Sequence, residues 1–444
     1  MDFPEQRAPE SVDGFTLQSV LIESDRLASK IGVENATTDL DIYEHIDKPY
    51  LTASLIFIDA AGIFSGMDFI GGEKVTIVIK STRAESTSIT KIFYVTSVMN
   101  TKKVNDYNEV IGLNLIEDIA YYANLINVNK SYFGKCSKMI EKIFKDNFDK
   151  TVTKIGEDYQ QKFKVIIPNL NPIESVSWIK NKATDVDGLP FFLFSTLVGD
   201  DIKFASLSEM LNQQVMNPSL PFTYWQAGST SPDRDIQRRT ILSYEYSNVE
   251  DIFKLIESGV VGSNYTYLDT LNGSHTSFQF DVMNDAFKPM LDRQTNAVKP
   301  KTLPFDERLK FDGISINQIP SKNITQVGSS GVYNQAITHT PSYSEEFDLG
   351  SYKKKAISRA ILKFLVKSPL TVMVNGYDFI DGQSSTTIGN KLKIEFINST
   401  IHSDGEDRKD PKRSGDYLIY ATRHMFKKER YDLALSCVKI GNHK

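Results

Sequence analysis

Six histidines, His45, His275, His339, His402, His424 and His443, are the side chains that would bind a transition metal or carry a proton near neutral pH. None stands at the i, i+4 or His-x-His spacing that sets two imidazoles on one face, so they offer no ready metal site. The two cysteines, Cys136 and Cys437, are too few for a disulfide framework or a cysteine-rich zinc site. Each lies in an apolar-periodic segment, where a small buried hydrophobe is the plain reading. Asp185-x-Asp187-Gly188 matches only the opening of a calcium loop. The third acidic position and the bidentate Glu are missing, and a helix-to-strand turn explains it better. The stretch from His402 to Arg413 carries several carboxylates that would hold a cation, although a solvated hairpin tip is simpler. Lys353, Lys354 and Lys355 read as the solvated start of a helix, with a docking patch for an acidic partner as the sharper alternative. Gly71-Gly72-Glu73-Lys74 lacks phosphate-loop spacing, and neither a Gly-x-Ser-x-Gly elbow nor a His-Glu-x-x-His helix occurs. Fifty-six acidic residues give many carboxylate pairs, and nothing singles out one for glycoside hydrolysis. The expectation is no catalytic, cofactor-binding or metal residue and no cofactor.

What the chain offers instead is sheet. Apolar residues alternate at Leu40, Ile42 and Ile46, with Glu44 interrupting the row, and again at Leu55 and Phe57 with Ile56 and Ile58 opposite, the period of a sheet with one face packed. The glycine pair Gly71-Gly72 opens a further strand to Ile79. Strands continue at Lys91–Met99 and Glu109–Leu115 around a polar turn, Lys102–Tyr107. Closely spaced strands with little helix pattern to Val128 predict an antiparallel barrel or sandwich.

After Lys130 the period changes. Cys136, Met139, Ile140, Ile143 and Phe144 follow helical spacing. A strand, Phe163–Ile167, precedes Asn171-Pro172-Ile173-Glu174, an N-cap, a proline at N1 and a capping-box Glu at N3. With the buried strand Leu189–Phe194 this predicts a strand–helix–strand unit and a small α/β domain. Beyond Met216, a helix is expected over 248–258, stopped by Gly259. Paired strands are expected at Tyr265/Tyr267 and Phe278/Phe280/Val282, around a turn with Asn272-Gly273. Residues 286–342, rich in Pro, Asn, Ser, Thr and Gly, read as an extended segment that would wrap a neighbour. An amphipathic helix with Ile357, Ala360, Ile361, Phe364 and Leu365 then leads to strands Leu370–Val374, Lys391–Ile397, Gly415–Met425 and Tyr431–Ile440.

At 444 residues the chain is expected to hold about three domains. A 40% hydrophobic content supports packed cores. The net charge of -5 gives no basic footprint for nucleic acid. No apolar run is long enough to span a bilayer, and the acidic Met1–Glu5 start is unlike a signal peptide, so synthesis in the cytoplasm is expected.

Four segments, in order, carry a resemblance: Tyr43–Gly62 with Ile70–Ile79; Ser131-Tyr-Phe-Gly-Lys-Cys136 followed by Met139–Phe144; Val165–Ile179 with Gly188–Phe194; and Ser414–Phe426 with Tyr431–Leu435. Together they resemble the central baseplate hub proteins of T-even-like contractile-tailed phages, which adapt the tail tube to the spike. Met216–Gly350 matches nothing in that pattern. The resemblance implies an α+β, mainly β fold, with two tube-like antiparallel β-barrel domains and an α/β middle region. It implies a first barrel over 1–128, a small α/β domain over 129–215, an irregular connecting domain over 216–350, and a helix plus second barrel over 351–444. It further implies a homotrimer in the virion tail baseplate, joining a hexameric tail tube or tube-initiator protein to a trimeric spike protein. Baseplate wedge and tape-measure proteins would be further neighbours, without sequence-specific nucleic acid or a transmembrane segment. Such a hub is structural and not an enzyme. The rivals are the spike-hub of a type VI secretion-like machine, a tail-associated cell-wall hydrolase and a receptor-binding module. The end at Lys444, directly after the second β block, favours the separate phage-style hub.

Overall fold

In the computed structural model, described residues are 14–26, 29–60, 62–67, 69–81, 88–99, 101–104, 108–159, 162–224, 238–246, 252–270, 273–293, 309–328, 343–345, 349–366, 369–380, 386–397, 409–410, 413–427 and 430–439. Among them strand exceeds helix, 46% against 22%, and the fold is α+β and mainly β.

The first block contains β1 (Phe15–Ser24), β2 (Ser29–Gly32), β3 (Thr37–His45), β4 (Thr52–Asp59), β5 (Lys74–Ser81), β6 (Ile89–Val98), β7 (Lys102–Lys103) and β8 (Glu109–Glu117), with short helices α1 (Ile63–Met67) and α2 (Asp118–Ala123). All its strand pairs are antiparallel, in the order β3-β4-β8-β6-β5-β1-β2, with β7 beside β8. The period of two does the sorting: on β4, Ala53, Leu55 and Phe57 are buried, whereas Ile58 faces out. Val75, Ile77, Phe93 and Leu113 complete that interior. Gly71 and Gly72, at φ 97° and 89°, form the turn before β5, where Glu73 accepts the N–H groups of Ile70 and Gly71.

The middle region holds β9 (Ser131–Gly134), α3 (Cys136–Phe148), β10 (Val152–Ile155), β11 (Phe163–Ile166), α4 (Pro172–Lys180), β12 (Phe191–Phe194), β13 (Ile202–Ser206) and α5 (Leu207–Asn212). Asn171 caps α4 as its sequence predicts, its side-chain oxygen accepting the Glu174 N–H at 2.8 Å. The strand–helix–strand expectation is modified. The strands flanking α4 lie in different sheets, β11 between β9 and the later strand Tyr343–Glu345, and β12 beside β13, which runs parallel to β10. Ile140, Phe144, Val165, Ile179, Phe191 and Phe204 nonetheless share one core, so α3 and α4 join the two small sheets.

The remaining strands are β14 (Phe222–Thr223), β15 (Ser243–Tyr246), β16 (Gly262–Asp269), β17 (His275–Asp281), β18 (Lys310–Phe311), β19 (Ile314–Ser315), β20 (Asn323–Gly328), β21 (Tyr343–Glu345), β22 (Leu370–Asn375), β23 (Lys391–Glu395), β24 (Gly415–Lys427) and β25 (Arg430–Val438). Among them stand α6 (Ile252–Glu257), a π-helix (Val282–Phe287), α7 (Lys288–Arg293) and α8 (Leu349–Leu365). The expected β16–β17 pair is present and antiparallel; residues 271–272 of its turn lie outside the described residues. Within 286–342, expected to be extended, the described residues form α7, the β18–β19 pair and β20, which runs parallel to β16. Low apolar content hid the β18–β19 and β20 strands, which backbone pairing joins, whereas α7 buries Met290 in the core. Leu255, Tyr265, Phe280, Phe287, Phe364, Leu370, Ile419 and Leu433 form a single core, so residues from 216–350 and 351–444 pack together.

Candidate functional site

The feature that organises the molecule is a strand pair between its two ends. β24 pairs with β3 in antiparallel register from Ala421↔His45 to Lys427↔Asp39. This contact fuses the first block and the β22–β25 block into one 14-stranded sheet. On the outer side, Arg423 donates to Asp41 at 2.7 Å and lies 5.7 Å from the Tyr43 ring centre. On the inner side the opposed pairs are Leu40 with Phe426, Ile42 with His424, and Glu44 with Thr422.

Glu44 is the one carboxylate in that inner row, and it is 2% exposed. Such a charge is tolerated only when its oxygens are satisfied. The Thr422 hydroxyl donates to Oε2 at 2.7 Å and the Leu197 N–H to Oε1 at 2.6 Å, and His424 Nε2 lies 3.3 Å from Oε1. Burial pushes the Glu44 carboxyl up, but His424, Leu197 and Thr422 outweigh it and hold the group down at about 2. Tyr431 completes the chain, its hydroxyl 2.7 Å from His424 Nδ1. Burial, reinforced by the Glu44 charge, pushes this phenol up and keeps it protonated. The Tyr431 hydroxyl and Nδ1 thus share one hydrogen bond, and Nε2 faces Glu44. A Glu–His–Tyr row would suit proton transfer, yet His424 is 0% exposed and no substrate reaches it. Its chemistry is cohesion.

Leu197 brings in the third partner, the 195–201 connection after β12. Its side chain enters the first block's core while its N–H holds Glu44. Two and three residues on, Lys91 of β6 donates to the Gly199 carbonyl at 2.6 Å and to Asp200 at 3.2 Å. Beneath this contact lies a cavity of about 20 Å³ lined by Lys91, Glu117, Ser195 and Asp200, room for one water. Burial pushes the Glu117 carboxyl up, against Lys91 and the Leu51 N–H. First block, middle region and last block thus meet at the buried Glu44 network, with the exposed Asp200 pairing Lys91 beside it.

Several other residues considered for chemistry make structural contacts. Cys136 and Cys437 are buried and unbridged, and burial pushes the Cys437 thiol up. His45 lies 3.2 Å from the Tyr420 hydroxyl, and His275 is exposed on β17. His339, His402 and His443, and most of the 402–413 stretch, lie outside the described residues. Asp185 forms a turn, accepting the N–H groups of Asp187 and Leu189 at 2.9 and 2.8 Å. The lysines 353–355 are not simply solvated: Lys353 pairs with Asp285 at 2.7 Å, Lys354 lies 3.5 Å from the Tyr159 ring centre, and Lys355 faces Tyr352 and Phe163. Among the described residues, no cluster of three or more His, Cys, Asp or Glu is arranged to hold a metal, and no helix is long and apolar enough to cross a membrane. The junction was missed from sequence, although Glu44 in an apolar row was its signal.

No protein-family model matches the chain, and no curated protein matches it. Among solved structures, a tail protein from Neisseria meningitidis MC58 superposes with a TM-score of 0.50 at 12% identity, over 96% of this chain and 97% of the other. The 43 kDa tail protein of prophage MuSo2 from Shewanella oneidensis gives 0.49 at 11% identity, over 95% and 98%. The PdpA–VgrG complex of Francisella gives 0.41 at 11% identity, over 98% of this chain and 55% of the other. At these identities the likeness to the Neisseria protein is one of fold.

Proposed function

We propose that this chain is a structural subunit of a contractile tail baseplate, a hub that closes as a three-fold ring between tail tube and spike. The observation that carries the reading is the β3–β24 pair. It makes one continuous sheet of two β blocks drawn from opposite ends of the chain. Three copies would present six such blocks to a hexameric tube and three-fold symmetry to a trimeric spike. The end-to-end fold likeness to a tail protein supports it.

In this reading 1–128 and 351–444 are the two tube-like barrels and 129–215 is the α/β spacer. The 216–350 stretch is an addition that shares the last block's core. Spike, tube or tube-initiator, wedge and tape-measure proteins are the neighbours, the location is the virion tail, and synthesis takes place in the host cytoplasm. The strand path ends at β2 and β15, and edge pairing between copies would cover backbone groups that otherwise invite aggregation. No catalytic step is assigned.

Analytical ultracentrifugation tests this. A species of roughly three times 50.1 kDa, imaged as a ring with a central channel, is expected. A stable monomer or dimer in the presence and absence of a spike partner overturns it, as does mutation-sensitive cleavage of peptidoglycan.

A further inference from the structure

A groove of 380 Å³ runs between α8 and the segment that links α4 to β12. One wall is a row of cations at i, i+4 and i+8 on α8, Lys355 over the Tyr352 and Phe163 rings, Arg359, which also donates to the Ser258 carbonyl at 3.4 Å, and Lys363, and Lys180 stands opposite. Like charges at this spacing repel one another along a helix, so the row favours an anion beside it. Among the described lining residues the one carboxylate is Asp47, and it pairs with Lys180. Beside the cations, Leu362 and Val366 are 39% and 49% exposed, and Phe191 and Phe192 lie beneath. A chain of net charge -5 therefore carries a locally basic groove with an apolar floor. A small free carboxylate would leave that floor uncovered, and a nucleic acid would meet a protein of the same overall sign.

We propose that this groove docks a short acidic segment of a partner protein. The segment's carboxylates would lie on Arg359 and Lys363, with an aliphatic or aromatic side chain against Leu362 and Val366. Charge complementarity supplies the orientation and apolar contact the residence. The site is independent of the buried junction and of the ring reading.

The test selects a random peptide library displayed on ribosomes against the full chain, then measures a synthetic consensus peptide by fluorescence anisotropy. Expected are peptides with at least two carboxylates flanking an apolar residue. Their affinity should fall about tenfold in Lys363→Glu and weaken with added salt. Leu362→Ser should weaken binding with unchanged salt dependence, and both exposed substitutions should keep the wild-type circular dichroism. Selection without acidic bias, equal binding by Lys363→Glu, or no enrichment overturns the proposal. So does tighter binding of a single-stranded oligonucleotide, which would make the groove a phosphate site. Preferential binding of this chain's own acidic peptide, residues 1–13, would assign the groove to a second copy and overturn it too.

Discussion

Replacing Glu44 by Gln probes the junction with almost no change in volume. In the folded chain the carboxyl is held at about 2, below its ordinary value of 4.5. That difference, at about 1.4 kcal/mol per pH unit, is about 3 kcal/mol of stability from the ionised form. A group lowered on folding contributes fully above its unfolded value and loses the contribution as pH falls through the folded one. The wild-type junction should therefore weaken between about pH 5 and pH 2. Glu44→Gln removes the charge, and its amide N–H₂ faces donors already committed to an acceptor. We expect β3 and β24 to open more easily by about 3 kcal/mol at pH 7, and by under about 1 kcal/mol near pH 2. Hydrogen exchange of peptides covering 37–45 and 415–427, corrected for intrinsic rates at each pH, reads this directly. Equal losses at both pH values would refute the electrostatic account. A loss below about 0.5 kcal/mol at pH 7 would refute the role of the buried network.

Two further substitutions separate the parts of the junction, and a third tests the packing of α8. Glu117→Gln should stabilise the fold at pH 7, because burial raises this carboxyl and its ionised form is disfavoured there; denaturation midpoints of wild type and variant should differ at pH 7 and converge at pH 4. Leu197→Ala should cost about 2–5 kcal/mol through the cavity it leaves in the first block, seen as faster exchange in β3 and in 195–201. Gly188→Ala should cost about 1–3 kcal/mol, since φ is +88° and the new Cβ would stand 2.9 Å from the Lys354 Cα. A thermal melt that leaves Gly188→Ala at the wild-type midpoint would refute both the backbone strain and the clash.

The sequence by itself determined the local elements. Alternation at Leu55 and Phe57 identified β4 as a strand, Asn171-Pro172-Ile173-Glu174 began α4 at its true cap, and Ile357, Ala360, Ile361 and Phe364 laid the buried stripe of α8. These signals act over one to four residues, within reach of backbone geometry and side-chain capping. Only the tertiary structure decided that β3 meets β24 across some 380 residues, that the strands flanking α4 part into different sheets, that β20 runs along β16, and that Lys353 pairs with Asp285. Every strand edge offers the same N–H and C=O groups, so a strand's own residues say that it will pair without saying with which partner. That choice falls to side chains brought together from afar. Glu44, in its row of apolar neighbours, finds its donors on Leu197, Thr422 and His424 only once the two ends of the chain have closed on each other.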